Sequence, residues 1–281
     1  MRIDLHVHSS ASDGTDAPED VVRAAARAGL DVVALTDHDS TAGWAAASAA
    51  ARDAGIVLVP GAEVSCQVRG TSVHLLSYLH DPRHPGLLAE FGRTRTDRLS
   101  RARRMVDRIG ADLDLTWADV EEHVPDGATV GRPHIADAMV AKGLVASRDE
   151  AFATVLHSSS PYHVHHYAPD AATAVRLVRA AGGVPVLAHP RAGRRGRTVD
   201  DDDVVDLAHA GLAGVEVEHR DHLPSERAHL RTLADELGLL TTGSSDYHGT
   251  GKQNRLGENL TEPEVLESIE ARATGTRVVR P

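Results

Sequence analysis

The chain has 281 residues, of which 41% are hydrophobic and 25% charged, with a formal net charge of −11. This length suits one large domain or a barrel with an insertion, and the negative charge disfavours a general polyanion-binding surface, so a phosphate-bearing substrate needs a local positive centre. The single cysteine, Cys66, excludes an intrachain disulfide and a cysteine-based metal cluster. The sequence begins with a polar motif and has no apolar run of membrane length, which predicts a cytoplasmic protein.

Strand and helix patterns alternate over the first 80 residues. Short apolar runs predict strands, and amphipathic stretches that end at Gly29 and Gly55 predict the helices between them. The predicted strands are 2–7, 31–36, 56–60 and 71–78, and the predicted helices are 18–28 and 41–54. We assign residues 1–80 to the first part of an α/β domain.

The pattern changes between residues 81 and 169, where apolar residues recur at helical spacing and no convincing strand is found. We predict that this segment is a mostly helical insertion that caps the domain. The alternation resumes in residues 170–281, which form the second part of the domain. The strands predicted there are 184–188, 214–218 and 239–242, and the helices are 171–181, 204–210, 225–237 and 262–273.

Regular alternation with buried apolar strands predicts a parallel sheet with helices outside it. About seven strands divided by one insertion favour a distorted (β/α)7-type barrel over an open sheet. The active site of such a barrel lies at the carboxyl ends of its strands.

Six of the seven predicted strands carry a metal-binding side chain type at or near that end. His6 and His8 are two residues apart on an extended segment, so they point to the same face. Each residue taken singly has a structural explanation; His38, for example, lies where a helix cap would suit the sequence. A barrel mouth crowded with such groups would be poorly stable without cations. The nine candidates are His6, His8, Asp13, His38, Glu63, His74, His189, Asp246 and His248.

These motifs resemble the PHP (polymerase and histidinol phosphatase) family. The matching segments, in the family's order, are Asp4-Leu5-His6-Val7-His8, Ser12-Asp13-Gly14, Thr36-Asp37-His38-Asp39, Gly61-Ala62-Glu63, His74, Ala188-His189-Pro190 and Ser245-Asp246-Tyr247-His248-Gly249. Within the family, Gly131-Arg132-Pro133-His134 and segment 161–169 look most like the group that hydrolyses nucleoside 3′,5′-bisphosphates and short RNA ends. The resemblance implies a metal-dependent phosphoesterase.

The resemblance further implies two or three divalent ions per chain. His6, His8, Glu63 and Asp246 would hold one ion, Glu63 would bridge to a second ion on His74 and His189, and Asp13, His38 and His248 would hold the third. Nitrogen and oxygen donors without thiolate suit Mn, Fe or Zn. Water activated by the metals would attack the phosphate, so we assign no catalytic side-chain nucleophile.

Substrate contacts are predicted outside this ligand set. The resemblance points to Arg132 and His134 as a phosphate clamp; the alternative is a helix start with two surface polar residues. His222 and Lys252 are further candidates. The arginines of segment 93–108 are interpreted as a solvated helix face, with contacts to nucleotide phosphates as the alternative.

We therefore expect a hydrolase that removes a phosphate from a small nucleotide, a nucleoside 3′,5′-bisphosphate. The alternatives are a histidinol-phosphate-type phosphatase, a 5′–3′ exoribonuclease on short RNA, and a non-catalytic metal-binding module. A membrane is not an expected partner, because the sequence has no apolar run of membrane length. Long duplex nucleic acid is not expected either, because the chain lacks the continuous basic track that a long strand needs.

Overall fold

Seven strands form one sheet that curves into a nearly closed barrel, which confirms the predicted fold class. The computed structural model describes residues 1–165, 167–193 and 197–281. Neighbours in the sheet follow the chain order, and a bridge between Val7 and Tyr247 joins its two ends. The strands are β1 (Ile3–Val7), β2 (Val32–Leu35), β3 (Val57–Val68), β4 (Thr71–Tyr78), β5 (Val184–Ala188), β6 (Gly214–Glu218) and β7 (Leu240–Gly243).

Helices cover the outside of the barrel and fill the segment between β4 and β5. Several end as the sequence predicts; Gly55 and Gly238, for example, follow their helices in the left-handed conformation that glycine adopts without strain. The helices are α1 (Pro18–Arg27), α2 (Trp44–Ala54), α3 (Pro85–Gly110), α4 (Trp117–Glu121), α5 (Arg132–Ala141), α6 (Arg148–Ala153), α7 (Ala171–Ala180), α8 (Asp201–Ala210), α9 (Pro224–Leu237) and α10 (Pro263–Arg272).

The expectation of an entirely parallel sheet is wrong at β4, which runs antiparallel to both β3 and β5. The reason is the tight connection before it. Arg69 and Gly70 alone link β3 to β4, and both have positive φ, 47° and 78°. A two-residue turn of this kind joins antiparallel strands, whereas parallel strands need a long crossover. The strand predicted at 56–60 is also longer than expected, and Glu63 lies inside β3 rather than after it.

The four helices α3–α6, which lie between β4 and β5, pack around an apolar cluster of their own. Met105, Ile109, Ile135 and Met139 are fully buried in it. This cluster is separate from those of the barrel, which gives a physical basis for treating the segment as an insertion; its boundaries remain a prediction. No helix within the described ranges combines the length and the apolar character needed to cross a membrane.

Candidate metal centre

The nine predicted ligands come from six strands or the loops that follow them, and their side chains meet at one end of the barrel. His6 lies in β1, and His189 follows β5. His74 reaches the same end because β4 is reversed: it pairs with Ala188, the last residue of β5, and with Ser65 near the end of β3. The antiparallel strand therefore contributes a ligand from its first half, whereas a parallel strand would contribute one from its last residues.

One oxygen of Glu63 lies within a group of four facing ligand atoms. His6 Nε2 is 3.0 Å from His8 Nε2, and these nitrogens are 3.4 and 3.1 Å from Glu63 Oε2. They are also 3.5 and 3.4 Å from Asp246 Oδ1. Two ligands about 2.0–2.2 Å from one ion at tetrahedral or octahedral angles stand roughly 2.8–3.6 Å apart, so the spacing fits a shared cation.

The other oxygen of Glu63 faces a second pair of histidines. Its Oε1 lies 2.8 Å from His74 Nδ1 and 3.0 Å from His189 Nε2. Glu63 thus has one carboxylate oxygen in each of two ligand groups, the arrangement expected of a carboxylate that bridges two ions.

Asp13 is the centre of a third group. Its Oδ1 is 3.2 Å from His248 Nε2, and its Oδ2 is 3.6 Å from His38 Nε2. His248 Nδ1 donates to the carbonyl of Asp246 at 2.8 Å, which leaves Nε2 as the unprotonated nitrogen facing Asp13 in the neutral ring. His8, Asp13, His38 and His248 together could hold one ion.

The orphaned atoms of this cluster fit a metal. His8 Nδ1, His38 Nδ1 and His74 Nδ1 are buried and make no hydrogen bond, although the last two lie 3.2 and 2.8 Å from Glu63 oxygens. Buried polar atoms are nearly always satisfied in native proteins, so atoms that point at each other without bonding suggest an absent shared partner. The residues present therefore suit divalent cations.

The electrostatics of the cluster are those of closely packed opposite charges. Burial opposes ionisation of Asp13 and Glu63, but the surrounding histidines hold both carboxyl pKa values well below their usual range. Burial likewise opposes the charge of His8, yet Asp246, Glu63 and Asp13 raise its pKa to about 9. Burial and the charge of Arg98 lower the pKa of His38, whereas the charges of Glu63 and Asp13 raise it, and the net shift is downward.

Two ligand positions are held in strained backbone. His189 and Asp246 have φ values of 31° and 53°, a region that residues other than glycine rarely adopt. Strain of this kind persists where the surrounding structure enforces it, commonly at functional sites.

Glu216 is a central residue that the sequence analysis missed. It is fully buried in β6, and its Oε1 lies 3.2 Å from His6 Nδ1 and accepts a hydrogen bond from Ser244 Oγ. Its Oε2 accepts from the backbone N–H of His189 at 2.8 Å. Burial opposes its charge, but His6, His219 and His189 lower its pKa. Glu216 thereby fixes which nitrogen of His6 faces the centre.

His219 is the second missed residue. It is fully buried after β6, and its Nδ1 accepts a hydrogen bond from the backbone N–H of Asp221. The neutral ring therefore carries its proton on Nε2, which lies 3.6 Å from Asp246 Oδ2. His219 is thus oriented as a donor towards the carboxylate oxygen that faces away from the histidine pair.

The four predicted substrate residues lie in three places. Arg132 and His134 begin α5, where His134 Nδ1 accepts from the N–H of Gly131 and Arg132 Nη1 donates to the carbonyl of Leu156. Lys252 Nζ lies 3.0 Å from Asp246 Oδ2, at the edge of the centre.

His222 has no support from the geometry as a substrate residue. Its Nδ1 donates to the carbonyl of Val217 at 2.9 Å, and its Nε2 accepts from the N–H of Arg191 at 3.2 Å. With both ring nitrogens bonded to backbone, the side chain holds together the loops after β5 and β6. The assignment of His222 to substrate binding therefore remains a prediction without a contact to carry it.

The sequence analysis interpreted the arginines of segment 93–108 as a solvated helix face. The structure corrects this interpretation for two of them. Arg93, Arg95, Arg103 and Arg104 of α3 are exposed, whereas Arg98 and Arg101 are buried. Arg98 Nε lies 3.2 Å from Asp39 Oδ2 and a terminal nitrogen donates to Ser65 Oγ, so this side chain connects α3 to the barrel.

The barrel, its helical segment and this ligand cluster define a metal-dependent hydrolase, and comparison with known proteins agrees. The chain belongs to the PHP domain family, whose sequence model matches residues 4–174. It is a metal-dependent phosphoesterase, as the sequence predicted.

Three relatives give the comparison at full length. The chain is 35% identical to a 3′,5′-nucleoside bisphosphate phosphatase of Chromobacterium violaceum, over 99% of this chain and 98% of the relative. It is 32% identical to a 5′-3′ exoribonuclease of Haemophilus influenzae, over 92% and 94% of the two chains. A solved metal-dependent phosphoesterase of Bifidobacterium adolescentis superposes with a TM-score of 0.95 at 40% identity, over 97% and 96%.

Proposed function

We propose that this protein removes a phosphate from a small nucleotide, specifically a nucleoside 3′,5′-bisphosphate. The observation that carries the proposal is the convergence of nine nitrogen- and oxygen-bearing side chains at one barrel mouth, with spacings that suit shared cations. The similarity to a bisphosphate phosphatase over nearly the whole of both chains supports the choice of substrate.

The proposed ligands are the three groups described above. His6, His8, Glu63 and Asp246 would hold one ion; Glu63, His74 and His189 the second; and Asp13, His38 and His248 the third. Mn, Fe and Zn all suit this donor set. When bound, the ions would supply Lewis-acid stabilisation of the phosphate and activation of the attacking water.

The protein's own contribution is to orient these ligands and to hold the substrate. Glu216 sets the tautomer of His6, and His219 and Lys252 both face Asp246 Oδ2, so its Oδ1 remains directed at the histidine pair. Six positive charges from three divalent ions would exceed the charges of the three ligand carboxylates and of Glu216, so a phosphate is attracted in spite of the acidic chain.

The second candidate is 5′–3′ exoribonuclease activity on short RNA, which the similarity to the Haemophilus influenzae enzyme favours. Both activities need a phosphate at the metal centre and a second phosphate nearby. The net charge of −11 argues against long strands, which need a continuous positive track.

The test compares initial rates of the Mn-loaded protein on four substrates: a nucleoside 3′,5′-bisphosphate, the matching 5′-monophosphate, histidinol phosphate and a short single-stranded RNA. We expect kcat/KM for the bisphosphate to exceed that of the monophosphate by roughly ten- to hundredfold, the equivalent of one charge-assisted contact. Histidinol phosphate or RNA as the best substrate by that margin would contradict the proposed substrate and leave the phosphoesterase class intact. The Asp246→Asn variant is the control, since any rate it retains measures contaminating phosphatases.

A further inference from the structure

Arg148, the first residue of α6, is paired with Asp137 on α5 through two hydrogen bonds. Its Nε and Nη2 donate to Oδ1 and Oδ2 of Asp137, both at 2.5 Å, and the arginine side chain is 13% exposed. Two parallel bonds of this kind fix the plane of a guanidinium as well as its position. The direction in which the remaining nitrogen, Nη1, points is therefore set by the two helices.

This third nitrogen of Arg148 points at the loop that carries Asp13. It donates to the main-chain carbonyl of Asp13 at 3.4 Å. Asp13 is the centre of the third ligand group, in which its carboxylate faces His38 and His248. A side chain of the helical segment thus contacts the main chain of a proposed metal ligand.

The same guanidinium lies against a second loop of that ligand group. Gly251 follows β7, three residues after His248, and its N–H donates to the carbonyl of His248 at 3.3 Å. A Cβ atom at position 251 would overlap Nη1 of Arg148, whereas glycine leaves room for this close approach. Arg148 therefore touches both the loop of Asp13 and the loop of His248.

The loop of Asp13 is compact enough to pass such a contact on to the carboxylate. Within it, the N–H of Ser12 donates to the carbonyl of Ser9 at 3.1 Å. A second bond from the helical segment reaches the same loop, because the N–H of Thr129 donates to the carbonyl of Ala11 at 3.2 Å. The position of this loop is thus tied to the helical segment at two of its carbonyl groups.

An ion pair that only joined α5 to α6 would not need these further contacts. Lys142 gives the comparison, since it pairs with Asp119 at 3.0 Å and with Asp114 at 3.3 Å inside the helical segment. Partly exposed pairs of that kind usually contribute little to stability. Arg148 differs because its third nitrogen and its contact with Gly251 both lie towards the third ligand group.

We propose that Arg148 is a positioning residue that couples the helical segment to the third ligand group. With its guanidinium plane fixed by Asp137, it holds the loops of Asp13 and His248 at the separation that a shared ion requires. The inference rests on the ligand groups of the proposed function and is independent of which phosphorylated substrate is used. Partners that orient metal ligands typically change metal affinity by about ten- to hundredfold, which is the size of effect to expect here.

The experiment titrates the metal-free protein with Mn²⁺ against a chromophoric chelator and compares Arg148→Gln with the control Lys142→Gln, which removes an ion pair inside the helical segment. We expect the affinity of one class of Mn²⁺ site to fall about ten- to hundredfold in Arg148→Gln, with the other sites within about twofold of the wild type. Lys142→Gln should match the wild type at every site. Equal losses in the two variants, or losses spread over all sites, would overturn the proposal.

Two further backgrounds identify which site is affected. In His248→Ala, which lacks a ligand of the third group, adding Arg148→Gln should cause no further loss of Mn²⁺ affinity, because both changes act on the same ion. In His74→Ala, which lacks a ligand of the second group, the same addition should cause its full loss. The reverse pattern would overturn the assignment to the third group.

Gly251→Ala tests the contact if Arg148→Gln fails to fold. The added methyl group displaces the guanidinium while every charge stays in place, so we expect the same site to weaken by a similar factor. Wild-type affinity at that site in Gly251→Ala would contradict the proposal. A wild-type protein that binds no Mn²⁺ would instead overturn the proposed function, whereas unchanged affinities in Arg148→Gln beside a wild type that binds Mn²⁺ would overturn the positioning role alone.

Discussion

Replacing Glu216 by glutamine tests how far the centre depends on a residue that need not touch a metal. The carboxylate receives His6 Nδ1–H and the Ser244 hydroxyl on one oxygen and the His189 backbone N–H on the other. Glutamine has the same size, but one of its two positions is an NH2 group that can only donate. In either orientation this group faces an N–H donor, from the His189 backbone or from the His6 ring.

The size of the effect follows from that mismatch. Glu216 is fully buried, so water does not replace the lost acceptor. A buried donor left unsatisfied costs about 1–3 kcal/mol. A tenfold to hundredfold loss of metal affinity, the range typical of partners that orient metal ligands, corresponds to about 1.4–2.8 kcal/mol. We therefore expect Glu216→Gln to weaken metal binding by roughly ten- to hundredfold.

The assay is a competition titration of the metal-free protein against a chromophoric chelator, with metal per chain measured by elemental analysis. Activity should fall at limiting metal and recover in large part at saturating metal, because the variant still has all nine proposed ligands. Glu218→Gln is the matched control: Glu218 lies two residues along β6, is 28% exposed, and contacts Arg227 at 3.0 Å. Wild-type affinity in Glu216→Gln, or an equal loss in both variants, would refute the positioning role.

Two further predictions concern stability. Chelation of the metals should lower Tm by roughly 5–10 °C. A ligand present at a hundred times its Kd stabilises the folded state by about 2.7 kcal/mol, and each kcal/mol shifts Tm by about 2–4 °C in a chain of this size. Calorimetry with and without chelator measures the shift, and an unchanged Tm would count against a metal-stabilised site. Burial lowers the pKa of His80 from 6.5 to about 4. The folded state therefore keeps the ring neutral, and the full contribution to stability is present above pH 6.5. Up to about 3 kcal/mol of the free energy of unfolding is lost as the pH falls from 6.5 to 4, because the unfolded chain takes up the proton first. The free energy of unfolding, measured with urea at pH 7 and 4.5, should therefore change less with pH in His80→Leu than in the wild type. An equal change in both proteins would contradict the role given to His80.

Much of the candidate site could be predicted from the sequence because its residues sit in short motifs at strand ends. The two-residue spacing of His6 and His8 determines that they share a face, and apolar runs just before Asp37-His38-Asp39 and His189 show where strands stop. In a barrel those ends meet, so residues more than 200 positions apart converge without any information on contacts.

Glu216 shows why the rest could not be predicted. Val215 and Val217 pack under α9, and Glu216 between them looks like a polar residue on a solvated strand face. In the folded barrel that face is the interior, and the partner of Glu216 is His6, 210 positions away. His219 has no motif either, and only its burial and its distance to Asp246 reveal a role.

The sequence by itself determined most strand positions, the helical character of segment 81–169 and the chemical type of the centre, because periodicity and motif spacing are local properties of the chain. Only the tertiary structure decided the direction of β4, the inward orientation of Arg98 and Arg101, and the part played by Glu216. These features depend on which surfaces the barrel and its helical segment present to each other. A charged residue is expected to face water until the packing shows that a partner charge lies on the buried side, as Asp39 does for Arg98.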